Sequence, residues 1–308
     1  MRTEHPYNQP QPGKQFFIFI AITLGMLIAG GFIGLGLIAM MYGSDIMMQV
    51  MQMNLSNPKN VQALWVLQIV STTLPILLIP VVFARWVVRE PQAYLKTGAR
   101  FAPLLLMMVF FVMLFSSPIV EVVSNLNQRM VLPQFLKDLE TWMRNSEQSG
   151  QKATEALLKM DTIWDLIKSV LLVGLFTAIA EEFMFRGGMQ TIFIRWTRNH
   201  HAAIWITAAI FSAFHMEFYG FLPRLMLGIL FGYFAYWSGS IWPAVWGHFL
   251  NNGSAVVITY LYQHKKTDIS PTDQHVFNYT GYVLSIIITV FLLYTYRNMA
   301  LAGDREHN

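Results

Sequence analysis

Residues 16–41 read FFIFIAITLGMLIAGGFIGLGLIAMM, a run without one charged side chain. An α-helix needs only about 20 apolar residues to cross a hydrocarbon core, so this stretch alone predicts a membrane span. It follows Lys14 and a polar tail containing Pro10 and Pro12. It is much longer than the roughly 7 to 15 apolar residues of a removable leader, and it is expected to remain as a helix. Gly30 and Gly34 within it form a small-xxx-small pair, which lets a neighbouring helix approach closely.

The rest of the chain continues the pattern. Of 308 residues, 55% are hydrophobic, 14% aromatic and 12% charged, whereas soluble domains carry about a quarter charged residues. There is no cysteine, which excludes a disulfide framework and thiol chemistry. The net charge of +4 is dispersed, so no clustered cationic footprint for nucleic acid exists. The expected fold is an all-α polytopic bundle of about eight transmembrane helices, over 16–41, 63–88, 102–123, 163–185, 203–219, 222–237, 241–262 and 277–296. The fifth and sixth windows are short, and Gly220 with Pro223 predicts a tight hairpin or a bent pair between them. The organisation reads as a loose tail over 1–15 and one transmembrane domain over 16–299. That domain has a motif-bearing core over 163–262 and a long loop over 124–162, and a tail over 300–308 follows it. In the loop, Leu136, Leu139, Trp142 and Met143 follow Pro133 at helical spacing and predict a short amphipathic helix on the bundle or the membrane surface.

Cations resist translocation, so Lys and Arg in short loops mark the cytoplasmic side. With the N-terminus inside, eleven cations fall on the cytoplasmic side and four on the other, leaving the long loop aside. Both termini are therefore expected in the cytoplasm, in the inner (plasma) membrane of a bacterium.

Ionisable groups inside spans are costly and mark functional positions. Glu181 and Glu182 close the fourth window. On a helix, Glu182 and Arg186 stand four apart with the acid first, the favourable order for an ion pair. Glu181 points about 100° away and is left without that partner. His215 lies in the fifth window. His248 and Asn252 stand one turn apart in the seventh, with Asn251 nearby. Any one of these histidines or amides could simply join two helices. Asp165 and Lys168, three apart at an interface, read as a local ion pair. Together, Glu181, His215, His248 and Asn252 supply a carboxylate, two imidazoles and an amide from three helices. Peptide hydrolysis needs a base for water and donors for the oxyanion. Glu181 with His215 could activate water, while a neutral His248 and the Asn252 amide could donate hydrogen bonds to the developing charge.

The Glu-Glu-x-x-x-Arg of Glu181 to Arg186, the Phe-x-x-x-His of Phe211 to His215 and the His-x-x-x-Asn of His248 to Asn252 resemble, in order and helix placement, the CPBP family of intramembrane proteases. That family joins type II CAAX prenyl endopeptidases with bacteriocin-processing and Abi-type proteins. The resemblance covers Thr177 to Gly253. It implies Glu181 and His215 as activators of water, His248 and Asn252 as the oxyanion site, and Glu182 and Arg186 as supports. It also implies a peptide or membrane-protein substrate, with or without a lipid modification, in contact with membrane lipids.

Counted along the expected spans, Glu181 and His248 lie roughly 7 to 11 Å below the cytoplasmic boundary, and His215 roughly 18 Å. The site is therefore expected to open toward the cytoplasm, provided that the fifth span begins later than residue 203 or inclines. Other readings of the same residues are a divalent cation such as Zn²⁺ held by the Glu and His set, a transporter or channel, and a non-catalytic immunity or partner-binding protein. Neither His-Glu-x-x-His nor its inverse occurs, so no cofactor is expected.

Overall fold

The computed structural model describes residues 9–99, 101–270 and 279–306. Every described element is helical, in chain order α1 (Pro12–Tyr42), α2 (Ser44–Met51), α3 (Pro58–Val88), α4 (Pro91–Leu95), α5 (Leu104–Gln128) and α6 (Lys137–Leu157). They are followed by α7 (Ile163–Thr197), α8 (His200–Phe214), α9 (Phe221–Ser238), α10 (Trp242–Gln263) and α11 (Tyr279–Glu306). By length and composition, six helices can cross a membrane, namely α1, α3, α5, α7, α9 with its preceding turn, and α11. The other two expected windows are also helical, as the shorter α8 and the more polar α10. A chain with these helices is an integral, multi-pass membrane protein.

α1 and α11 turn large apolar side chains outward, among them Phe17, Ile28, Phe32, Ile287 and Phe291. Such outward faces suit hydrocarbon rather than water. Inside, Phe19 of α1, Ile79 and Phe83 of α3, and Phe185 and Met189 of α7 form one core. A second core joins α5, α9, α10 and α11 through Val109, Phe231, Ala244 and Tyr296. α1 docks on α3 at the predicted glycine pair. A Cβ on Gly30 would stand 2.8 Å from Pro75 Cγ and 2.9 Å from the Val70 carbonyl, and one on Gly34 would stand 3.1 Å from Leu67 Cδ1.

The bundle has two ends. One carries the N-terminal residues, where Gln15 and Gln9 accept from Arg195. Here too Trp242 donates to Thr97 O and Ser240 to Gly98 O. At the opposite end lies α6, longer than the short helix expected. It straps across from the α8–α9 turn to α3. Trp142 packs on Phe218, the Arg144 guanidinium sits 4.1 Å from the Tyr219 ring centre, and Tyr219 N–H donates to Glu147. Near its other end, Leu157 packs with Ile38, Ala63 and Leu64.

Several expected boundaries shift. Helix α1 starts at Pro12 and Gln15 is fully buried, donating to Pro10 O, so the tail is shorter than 1–15; residues 1–8 lie outside the described part. Helix α11 runs on to Glu306 rather than yielding to a tail at 300, and Phe277 of the eighth window lies outside the described residues. The larger difference is α7, which continues to Thr197 instead of ending at 185. Its apolar stripe persists past Arg186 because that cation is consumed inside the bundle.

Gly30→Leu is expected to lower stability by about 1–3 kcal/mol through overpacking, read as a lower melting temperature of the detergent-solubilised protein. Gly31→Leu, whose Cβ meets open space, is expected to melt like the parent.

Candidate active site

The acidic pair sits in a short α-helical segment, Thr177–Glu182, between two π-helical stretches, Val170–Phe176 and Phe183–Met189. Such wide turns are uncommon and recur at functional sites. Glu181 lies sixteen residues before Thr197 and eighteen after Ile163, or roughly 24 Å and 27 Å along the axis. It is thus deep within the bundle, and the shallow position expected from a span ending at 185 is wrong. His215, just past α8, is fifteen residues from His200, roughly 22 Å. The two are level because Glu181 is deep, which removes the need for a later start of the fifth span; α8 in fact begins earlier, at His200. α10 starts with Trp242 against Phe183, at a ring separation of 6.2 Å, and this brings His248 to the same level within six residues.

Glu182 is fully buried, and Arg186 is 1% exposed. Glu182 Oε1 accepts from Arg186 Nη1 at 2.7 Å and meets His248 Nδ1 at 2.8 Å. Arg186 Nη2 donates to Gly228 O at 3.0 Å, and its guanidinium lies 4.7 Å from the Phe211 ring centre. Burying this pair costs several kcal/mol per ion in desolvation. The mutual contact, the carbonyl and the aromatic faces offset that cost. Gly228 admits the arrangement, since a Cβ there would stand 3.0 Å from Ala208 Cβ. One turn farther along α7, Gln190 donates to Gly232 O at 3.1 Å, so two polar side chains clamp α9 against α7.

The histidines are fixed by their Nδ1 atoms. His215 Nδ1 is 2.9 Å from Phe211 O, a pure acceptor, so this nitrogen carries the hydrogen. His248 Nδ1 faces the Glu182 carboxylate, and the same assignment follows. In a neutral ring each Nε2 then presents a lone pair. Both Nε2 atoms stand 3.7 Å from Glu181 Oε2, too far for a direct hydrogen bond. Three acceptors thus converge. The expected use of a neutral His248 as a donor is thereby corrected: its one N–H is already committed to Glu182.

Glu181, His215, His248, Asn251 and Asn252 line a single cavity of about 620 Å³. Asn252 Nδ2 is 3.4 Å from Val173 O, and Asn251 donates to Asn252 Oδ1 at 3.1 Å, which orients the Asn252 amide. The cavity walls run to Trp65 and Gln68 of α3, Thr154 of α6, and Glu217 and Arg224 of the α8–α9 turn region. No residue from the N-terminal end lines it. The cavity therefore opens toward the strap end, and the expected opening on the side of the termini is reversed. The helix continues twelve residues beyond the expected end at 185, about a third of its 35 residues, and Glu181 lies deeper by that length.

Residues 163–254 match the family model described as type II CAAX prenyl endopeptidase Rce1-like. The matched stretch contains Glu181, Glu182, Arg186, His215, His248 and Asn252. No curated protein and no solved structure matches the chain. The match spans under a third of the chain, and at the level of the family it supports a CAAX-type intramembrane protease, a hydrolase of peptide or protein substrates.

Within the Rce1-like stretch, the sequence reading missed three features. The Glu182–His248 bond joins residues sixty-six apart and has no local signal. Asn251, which by spacing is only a neighbour of His248 and Asn252, holds the Asn252 amide oxygen. The Gly228 and Gly232 spacing, one turn apart on α9, was the signal that could have located the α7 contact. The ion pair of Asp165 with Lys168 forms as expected, at 3.1 Å. Among the described residues, no trio of His, Asp or Glu is gathered to hold a metal ion.

Arg186→Ala is expected to cost about 3–5 kcal/mol, because it leaves the Glu182 charge buried with one partner fewer. Arg198→Ala, at an exposed position, is expected to stay within about 0.5 kcal/mol. Comparing the melting temperatures of the two purified variants checks this, and equal values would contradict the buried pair.

Proposed function

We propose that the chain is a glutamate-type intramembrane endopeptidase in which Glu181 and His215 activate water and Asn252 and His248 stabilise the oxyanion. The observation that carries this reading is the convergence of Glu181 Oε2 with two imidazole Nε2 atoms at 3.7 Å each. A water molecule has two hydrogens to give to such acceptors, and it keeps its oxygen lone pairs free for a substrate carbonyl.

The proposed reaction begins as Glu181, aided by His215, takes a proton from water while the oxygen adds to the scissile carbonyl carbon. The Asn252 amide donates to the resulting oxyanion, its orientation held by Asn251. His248 begins as an acceptor. It becomes a donor only when a proton taken up from bulk water before the reaction makes it an imidazolium, which keeps that proton throughout and whose charge the buried Glu182 balances. The proton taken from water passes to the leaving nitrogen, the C–N bond breaks, and a carboxylic acid and an amine result; the acid then gives up the water's second proton to the amine, leaving a carboxylate and an ammonium group. Glu182 and Arg186 act by position: they hold His248 and dock α9.

Leu172, Val173, Phe176, Leu227 and Phe231 give the cavity apolar walls. They support a substrate with apolar side chains or a lipid modification, and a prenyl group is the form that the family's description names. The chemistry assigned here needs no metal ion. A divalent cation on the same Glu and His set is the alternative, so proteolysis should survive exhaustive chelation, and its loss would favour the metal.

Glu181→Gln keeps the side-chain shape and removes the base. Cleavage of membrane-fraction substrates, compared by proteomics between parent and variant cells, is expected to fall by about 10²- to 10⁴-fold while the melting temperature holds. A cellular role fully retained by the variant would instead indicate a protein that binds and does not cut.

A further inference from the structure

Resting on the peptidase reading above, we infer that Arg224, paired with Glu217 in the cavity wall, is a specificity residue: it anchors a carboxylate of the substrate about three residues from the bond to be cut.

The charges of the cavity point to this position. Among the described residues that line it, Arg224 is the only lysine or arginine, against two acids, Glu181 and Glu217. An anionic group entering the cavity is repelled beside Glu181, and the one fixed cation to receive it is the Arg224 guanidinium. Arg224 Nη2 donates to Glu217 Oε2, and no other bond engages the guanidinium among the described residues. Most of its five N–H donors therefore remain to take a second carboxylate, in the two-pronged manner that suits this group. The paired side chains are 26% and 35% exposed, and an ion pair so open to water adds little to the stability of a fold. What the pair offers the cavity accounts better for its place.

The position is also rigid. Asn127 of α5 donates to Phe218 O and accepts from Leu222 N–H, Ser212 of α8 donates to Phe221 O, and Tyr219 N–H donates to Glu147 of the strap. The turn between Glu217 and Arg224 is thus tied to three helices. Gly220 leaves the guanidinium room, since a Cβ there would stand 3.1 Å from Arg224 Cζ. Farther along α9 the Phe231 ring stacks on His248 at 5.0 Å, which sets Phe231 level with the nitrogens that converge on Glu181. Arg224 precedes Phe231 by seven residues, or roughly 10 Å along the helix. An extended peptide advances about 3.3 Å per residue, so a strand lying along α9 brings a carboxylate to Arg224 about three residues from the scissile carbonyl. A free C-terminus and an internal aspartate or glutamate both present that group.

Binding to the full-length Glu181→Gln protein in detergent tests this without hydrolysis. The probes are three fluorescent pools of randomised apolar hexapeptides: one ends in a free carboxylate, one in an amide, and one in an amide with a single aspartate at the fourth position. By fluorescence anisotropy against empty micelles, one or both carboxylate pools are expected to bind about tenfold tighter than the plain amide pool, and the pool that does so identifies the source of the group. Adding Arg224→Gln should remove the difference. Adding Glu217→Gln should widen it by about threefold or more, because the amide oxygen still holds the guanidinium while the competing charge is gone. A pair that only braced the turn would move both variants in the same direction. Equal binding of the three pools, binding of none, a preference that survives Arg224→Gln, or weaker carboxylate binding with Glu217→Gln would overturn the inference; if Arg224→Gln does not fold, the direction of the Glu217→Gln shift decides. Cleavage is read separately in the comparison of parent and Glu181→Gln cells, so this anchor and the peptidase reading fail by different results.

Discussion

The fully buried Glu182 carboxylate is the constraint around which the centre of the molecule is arranged. A charge placed in a hydrocarbon-bound bundle must find partners or neutralise. Glu182 finds two, the Arg186 guanidinium one turn along its own helix and the His248 ring on α10. The arginine in turn reaches the Gly228 carbonyl on α9. One carboxylate therefore fixes three helices relative to one another and sets the hydrogen position on a histidine. Loss of any member leaves a buried charge or a buried carbonyl uncompensated.

The neighbouring acid has the opposite circumstances. Glu181 faces the cavity, and Oε2 has no direct hydrogen-bond partner among the described residues. The two carboxylates are adjacent in sequence and differ only in the direction each leaves the helix. That difference divides support from proposed chemistry. His215 and His248 reach Glu181 from different helices, yet each is held by an acceptor at Nδ1, so their Nε2 atoms meet the same carboxylate oxygen at the same distance. A site held this way is preorganised, since neither ring must turn before water is engaged.

The helix ends explain where the cavity lies. α8 stops at Phe214 and gives way to a turn in which Met216 adopts a positive φ of 54°, so His215 is presented inside the bundle at the tip of a hairpin. The strap α6 spans the same side, with the Arg144 guanidinium against Tyr219 and Leu157 against α3. Between them the polar route descends to Glu181. The opposite side is filled by aromatic and methionine side chains.

The sequence alone was enough for the helical membrane class, the glycine contact of α1, the Glu182 to Arg186 spacing and the choice of polar residues worth attention. Each of these depends on composition or on separations of three to five residues, which a helix converts directly into position. Helix ends were less legible. The expected fourth window stops at 185, just before Arg186, and only the burial of that cation against Glu182, Gly228 O and the Phe211 ring explains why the helix runs on. The depth of the site and the side on which it opens both followed from that one placement. The bond from Glu182 to His248 likewise belongs to tertiary structure, because two residues sixty-six apart meet only once α7, α9 and α10 have packed. Local spacing determined which groups could act; the packing of distant helices decided which of them hold one another and which are left facing a substrate.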